Sequence, residues 1–228
     1  MRSVLDCIKK RQFPPTGEPD TRTDGIAYKF NKQGYRTKEF NEIDWANSIV
    51  VFGGSDVLGE GIEEQDTLTA KIQSKTNFFT VNMGVGGASM QRSFYDSLLV
   101  AENLPLPKAI INIWAIHYRT INYAKKEAIN NGPWNWDEPD NFMKPWIHEV
   151  GTNAVANALF TYMASRQVWG GVKSFHGSFF KPVTNILGIH MFNILDKCKD
   201  GIHPGPVSME AAAEHIHKYC LNNEPINK

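Results

Sequence analysis

The feature that most constrains the fold is Ile49-Val50-Val51-Phe52, four consecutive apolar positions closed by Gly53-Gly54. Successive strand residues point to opposite faces of a sheet, so a strand with no polar position has no face to offer to water. Such a strand belongs inside a parallel sheet covered by helices on both sides. Phe78 to Val81 and Ala109 to Trp114 read as two further strands. Between them lie two helical stretches. Asp66 is the expected cap of the first, which runs to Lys75 with Leu68 and Ile72 on one face. The second, Met90 to Asn103, puts Phe94, Leu98 and Ala101 on one face and is ended by Pro105 and Pro107. Strand and helix in strict alternation predict right-handed parallel units, hence an α/β fold: a three-layer α/β/α sandwich with a central parallel sheet and flavodoxin-like topology.

The flanks are less regular. Residues 1 to about 24 hold Pro14, Pro15, Gly17 and Pro19 among polar neighbours and read as an arm over the domain. Ile26 to Phe30 alternates like a short strand, with a turn over Asn31-Lys32-Gln33-Gly34. The expected division is therefore an N-terminal arm and extension over 1–47 and the main domain over 48–228. Tyr118 to Asn130 reads as helical. It is followed by a polar and aromatic insertion that carries Trp134, Trp136 and Trp146. Packing of a long loop accounts for these tryptophans more simply than a platform for sugar rings. Asn153 to Gln167 reads as a helix with Val155, Leu159 and Met163 at spacing four, closed by Gly170-Gly171. Strands are expected near Val172 to Phe175 and Thr184 to Ile189. Ser208 is the expected cap of a last helix to Leu221 that buries Ala212, Ile216 and Tyr219.

Composition excludes several classes. At 228 residues and 42% hydrophobic content the chain can bury one sizeable core. Lys plus Arg and Asp plus Glu number 24 each, so no net field draws a polyanion, and neither nucleic acid nor a membrane is an expected partner. Cys7, Cys198 and Cys220 show no metal-ligand spacing, and His148, His176, His190, His215 and His217 have no partner at ligand spacing, so no metal is expected. The apolar patch within Met1 to Gln12 is too short for a signal peptide, and no apolar run is of membrane-spanning length. A soluble protein, cytoplasmic or virion-associated, is the expectation.

Two stretches carry chemistry. The first apolar strand runs into Gly53-Gly54-Ser55-Asp56, which would hold the Ser55 hydroxyl at the carboxyl edge of the sheet, where open α/β folds place their sites. The plainer reading is a loop serine. Asp200-Gly201-Ile202-His203-Pro204 sets a carboxylate three residues before an imidazole, close enough on one turn to fix its tautomer and stabilise its charged form. The plainer reading there is an acidic turn beside a solvated histidine. Gly84-Val85-Gly86-Gly87 lacks the third glycine of a dinucleotide loop, since position 89 is Ser; it suits a turn that aims the Gly87 N–H at a developing oxyanion, or a steric turn.

Taken in order, these pieces resemble the SGNH/GDSL hydrolase family. Phe52-Gly53-Gly54-Ser55-Asp56 is similar to that family's first block, with Gly-Gly-Ser in place of Gly-Asp-Ser. Asn82 to Ser89 is similar to the second block and Asp200 to Pro204 to the last. The resemblance spans Ser48 to the C-terminus. It implies a serine esterase in which Ser55 is nucleophile, His203 base and Asp200 its orienting acid, with the N–H of Gly87 in the oxyanion hole, no cofactor, and a small or carbohydrate-linked ester, including O-acetyl groups, as substrate. The third block departs: where the family has Gly-x-Asn, this chain has Ala115 and His117, so His117 takes the place of the asparagine donor, with Arg119 close behind. The Gly-x-Ser block and the Asn31 to Arg36 lead-in resemble SGNH-like proteins of phages and marine bacteria. The competing readings are a weakened or inactive relative acting as a glycan-binding or structural module, and a mononucleotide binder using the Gly53 to Asp56 turn as a phosphate cradle.

Overall fold

A computed structural model describes residues 25–122, 129–131 and 143–222, and only the backbone over 120–122, 129–131 and 143–152. The arm expected over 1–24, Trp134 and Trp136 lie outside the described residues.

The first strand, β1 (Ser48–Gly53), is buried at all six positions, as its apolar run demands. It pairs in parallel with β2 (Phe79–Gly84) on one side and β3 (Ala109–Ile113) on the other. The sheet continues through β6 (Lys173–Ser178) to β7 (His190–Met191), all parallel, giving the order β2-β1-β3-β6-β7. That order places β1 inside the sheet between β2 and β3, at the point where the strand sequence reverses direction, and ligands gather at the carboxyl ends there.

Both faces of β1 are covered. Ile49 and Val51 pack with Leu68 and Ile72 of α2 (Leu68–Ser74) and with Met209, Ala212 and Ile216 of α6 (Pro206–Ile216). Val50 and Phe52 face the other way, onto Leu99 and Val100 of α3 (Met90–Asn103) and Trp169 just beyond α4 (Met143–Val168). The three layers of the α/β/α sandwich are thus present. Residues 25–47 add to this second core through Tyr35, Phe40, Ile43 and Trp45, while Ile26, Tyr28 and Phe30 pack with Leu58. The alternation at Ile26 to Phe30 is one of burial only, since no strand forms there.

Several local expectations are corrected. The cap of α2 is Thr67, whose hydroxyl accepts from the Ala70 N–H, and not Asp66. On α3 the buried positions are Met90, Arg92, Ser93, Asp96, Ser97, Leu99 and Val100, whereas Phe94 and Leu98 are half-buried; the buried face includes the Arg92–Asp96 ion pair, so the helix packs by a different face from the one its apolar residues suggest. The helix expected over Tyr118 to Asn130 gives way to an antiparallel pair, β4 (Thr120–Asn122) with β5 (Ile129–Asn131). The helix α4 begins ten residues before the expected Asn153. Its small residues Ala154 and Ala158 face inward, while Val155, Leu159, Phe160 and Met163 are between 37% and 69% exposed. Thr184 to Ile189 is not a strand: α5 (Lys181–Leu187) covers it, entered by a proline in its first turn and closed by Gly188 in the left-handed region at φ 64°. The last helix starts at Pro206 with Gly205 as its cap, and Tyr219 is half-exposed. Among the described residues no helix is long and apolar enough to cross a membrane.

Candidate active site

Ser55 opens α1 (Ser55–Leu58), the single turn that follows β1 directly through Gly53 and Gly54. The turn is tight because no side chain is tolerated beneath it. A Cβ on Gly53 would lie 2.4 Å from Val57 Cγ2 and 2.9 Å from the Ile113 carbonyl oxygen, and one on Gly84 would lie 2.1 Å from the Leu58 nitrogen. Asn82 pins the two blocks together: its amide donates to the Val57 carbonyl at 2.8 Å while its Oδ1 accepts from the Gly84 N–H at 2.9 Å. Gly87, at φ 68°, bends the chain after β2, and the Ala88 carbonyl oxygen is 3.8 Å from where a Cβ of Gly54 would stand. The second glycine turn therefore borders the serine turn.

From the opposite end of the chain comes the loop before α6. Asp196 ties it down, its carboxylate accepting from the backbone N–H groups of Val207 at 3.1 Å and Ser208 at 2.8 Å and from the Ser208 hydroxyl at 2.7 Å. Ser208, expected as a cap, is instead this anchor's partner. Cys198 N–H donates to the His203 carbonyl at 3.0 Å, closing the loop on itself. Inside it, Asp200 Oδ1 accepts from the N–H groups of Ile202 at 2.7 Å and His203 at 3.0 Å and from the Cys198 thiol at 2.9 Å. Asp200 Oδ2 lies 2.5 Å from His203 Nδ1. Burial opposes the charge on Asp200, but the hydrogen bonds from Cys198, from the His203 ring and from the backbone outweigh it and hold the carboxyl well below the usual range.

The two loops meet: His203 Nε2 is 2.8 Å from Ser55 Oγ. The structure thus brings together Ser55, His203 and Asp200, with one imidazole nitrogen on the hydroxyl and the other on the carboxylate. A neutral imidazole protonated at Nδ1 donates to Asp200 and leaves Nε2 free to accept the serine proton. His117 sits in the loop after β3. Burial lowers its pKa, and its Nδ1 is buried without a hydrogen-bond partner among the described residues. That loop borders the serine turn through Ala115, whose Cβ is 3.6 Å from a Gly54 Cβ position, and through Arg119 Nη1 at 3.9 Å from it.

Three participants went unread in the sequence. Glu60 Oε2 is 3.4 Å from His203 Nε2, the nitrogen that faces the serine. Its signal was the Gly59-x-Gly61 frame, with both glycines at positive φ, 78° and 75°. Asp56 is buried next to the serine. Its pKa is raised by that burial and drawn back by His203 and Arg119. Cys198 is more than a bystander thiol, since it also approaches the Glu60 carbonyl at 3.4 Å. Cys198, Asp200 and His203 are the one cluster of three metal-capable side chains found among the described residues, and its members already bond one another. Elsewhere His190 Nδ1 lies 2.9 Å from His215 Nε2, a pairing that sequence spacing did not reveal.

No family model matches the chain, and no curated protein matches its sequence. Solved structures do. Est2A, an acetyl xylan esterase from the rumen bacterium Butyrivibrio proteoclasticus, aligns at 11% identity and a TM-score of 0.48 over 78% of this chain. The match takes in 64% of that enzyme, so the chain spans less than two thirds of its length. A member of the lipolytic G-D-S-L family from Veillonella parvula aligns at 10% identity and a TM-score of 0.47, over 75% of this chain and 97% of its own. AlinE4, an SGNH-hydrolase family esterase, aligns at 13% identity and a TM-score of 0.36, over 60% of each chain. Likenesses this distant carry no argument about chemistry, which rests on the geometry of the site.

Proposed function

We propose that the protein is a serine ester hydrolase of SGNH type. The observation that carries the proposal is the pair of contacts on one imidazole, Nε2 to Ser55 Oγ at 2.8 Å and Nδ1 to Asp200 Oδ2 at 2.5 Å. These residues come from opposite ends of the sequence, and a plain loop serine has no need of that arrangement.

In this reading His203 Nε2 takes the Ser55 proton as Oγ attacks the ester carbonyl, and Asp200 stabilises the imidazolium that forms. The oxyanion is met by the N–H groups of Ser55 and Gly87, with the unpartnered Nδ1 of His117 as a third candidate donor. His203 then returns the proton to the departing alkoxide oxygen, leaving an acyl-serine. Water, activated by the same imidazole, releases the acid and restores Ser55. A set lacking the usual asparagine donor is expected to be slower by about a hundred- to a thousandfold unless His117 compensates. The substrate is a small or carbohydrate-linked ester.

A fluorophosphonate probe tests the assignment directly. Wild-type protein is expected to be labelled and Ser55→Ala unlabelled. Equal labelling of both, or none of either together with no turnover of aryl acetates or acetylated sugars, overturns it.

A further inference from the structure

We infer that Cys198, Asp200 and His203 form a site for a thiophilic divalent cation, zinc or cadmium, and that a cation bound there reversibly stops ester hydrolysis. The second half of the inference rests on the serine hydrolase reading above; the first half does not. All three side chains come from one loop, and one ligand atom from each lies within 4.8 Å of the other two. Thiolate sulfur, imidazole nitrogen and carboxylate oxygen are donors that zinc takes, and the sulfur and nitrogen select it over magnesium or calcium. Zinc holds sulfur at about 2.3 Å and nitrogen or oxygen at about 2.0–2.1 Å, which spaces tetrahedral neighbours at roughly 3.3–3.6 Å. Cys198 Sγ to Asp200 Oδ1 is 2.9 Å and Asp200 Oδ2 to His203 Nδ1 is 2.5 Å, so each contact has to lengthen by less than about 1 Å to admit the ion.

The surroundings suit that change. Asp200, Gly201 and Ile202 are exposed, so the turn that must open is not wedged into the core and an ion reaches it from solvent. Gly61 lets the facing loop come close: a Cβ there would lie 2.3 Å from Cys198 Sγ and 3.3 Å from Asp200 Cγ. That approach brings the Glu60 carbonyl oxygen within 3.4 Å of the sulfur, and this oxygen or a water supplies the fourth ligand. Binding costs the thiol its proton, which passes to water; the thiolate and the Asp200 carboxylate then balance the two charges of the ion. The imidazole keeps one proton but carries it elsewhere: with the ion on Nδ1, the proton sits on Nε2. Nε2 is the nitrogen 2.8 Å from Ser55 Oγ. A ring that donates there no longer accepts the serine proton, so the ion removes the proton acceptor and leaves the substrate's place open.

Isothermal titration calorimetry with zinc chloride on the full chain, wild type and Ser55→Ala, reads the site without any turnover. Both are expected to bind zinc, and cadmium is expected to give the ultraviolet thiolate-to-metal band. Cys198→Ala and Cys198→Ser, each checked for folding by circular dichroism, are expected to lose the band and to weaken zinc binding by about a hundredfold or more. The double variant His190→Gln, His215→Gln is the control for the other converging ring nitrogens, 2.9 Å apart, and is expected to keep the band. In aryl acetate hydrolysis zinc is expected to lower kcat with KM unchanged, EDTA to restore the rate, and magnesium at the same concentration to do nothing. Each inhibition curve is read against that variant's own metal-free rate. No zinc binding in wild type, or binding equal in wild type and both Cys198 variants, overturns the site. Cys198-dependent binding with hydrolysis untouched overturns the inhibition. Calorimetry and the cadmium band remain readable if wild type shows no turnover and no fluorophosphonate labelling, so failure of the hydrolase reading is told apart from failure of the site.

Discussion

Ser55 and His203 meet at one point, yet different forces hold them there. The serine turn is fixed by close approach: Gly53 and Gly84 leave no room between β1, α1 and β2, and the residues around them are buried. The histidine loop has little packing of its own. Asp200, Gly201 and Ile202 are exposed, and the loop keeps its shape through hydrogen bonds to two carboxylates, Asp196 and Asp200. Ser55 is thus placed by sterics and His203 by polar contacts. Steric placement fails abruptly with added volume, whereas polar placement responds to pH and to loss of single acceptors.

The largest effects separate chemistry from placement. Ser55→Ala is expected to lower kcat/KM on an aryl acetate by about 10⁴-fold or more with little change in melting temperature, since it removes one oxygen. Asp200→Asn should lower it by a comparable factor, because the amide favours the wrong imidazole tautomer. If Asp200→Asn leaves kcat near wild type, His203 is not placed through Asp200. Next in size is Gly84→Ala. Its Cβ would fall 2.1 Å from the Leu58 nitrogen, a clash with backbone that no rotamer relieves. The expected cost is about 3 kcal/mol, a drop of about 6–12 °C in melting temperature by circular dichroism. A melting temperature within about 2 °C of wild type would mean that close approach does not fix the serine turn.

The same contrast explains what the sequence disclosed. Strand β1 was readable because burial on both faces leaves a continuous apolar run from Ile49 to Phe52, and β2 and β3 because theirs is broken only by Thr80, Asn82 and Asn112, while the glycines record the contact that excludes a side chain. Ser55, Asp200 and His203 were readable by their blocks, though only the resemblance joined residues so far apart. Polar placement leaves a fainter trace. Nothing in local spacing says that Glu60 reaches His203, a contact that crosses between loops, and the Cys198 thiol's bond to Asp200, though only two residues away, depends on how that one loop folds. Helix faces were misread where apolar side chains point outward: Val155, Leu159 and Met163 repeat at the expected spacing, but Ala154 and Ala158 are the ones buried. For α5, β-branched Thr184, Ile186 and Ile189 suggested a strand. Pro182 before them and Gly188 between the last two were the better signal.

Asp196 probes the polar side on its own. Burial opposes its charge, and the hydrogen bonds from Ser208 and Val207 prevail, so its pKa is lowered on folding. A carboxylate of that kind stabilises the fold above its unfolded pKa of about 4 and loses the contribution as pH falls through the folded value. Asp196→Asn is expected to cost about 1–2 kcal/mol at pH 7, by weakening its contacts at the start of α6, and the gap to wild type should close below about pH 4. A gap that is constant from pH 7 to pH 3 would show that the carboxylate's charge does not hold the loop.

The smallest effect is expected at Cys198, where the sign with pH is opposite. Burial, then the hydrogen bond to Asp200, pushes its thiol up to about 11, so at neutral pH it is a protonated donor to Asp200 Oδ1. Cys198→Ala removes that donor and is expected to cost about 0.5–1.5 kcal/mol at pH 7. Above about pH 8.5 the unfolded thiol ionises while the folded one keeps its proton, so the folded state binds more protons and stability falls as pH rises. Cys198→Ala has no thiol to ionise there, so the gap between wild type and variant should narrow from pH 8.5 toward 11. Cys220, whose thiol burial also pushes up to about 11, contributes equally to both proteins and drops out of the difference. Paired melts across that range decide the matter. A gap that widens instead would mean that the thiol is already ionised in the folded protein, and Asp200 would then face a neighbouring negative charge where a hydrogen-bond donor is inferred.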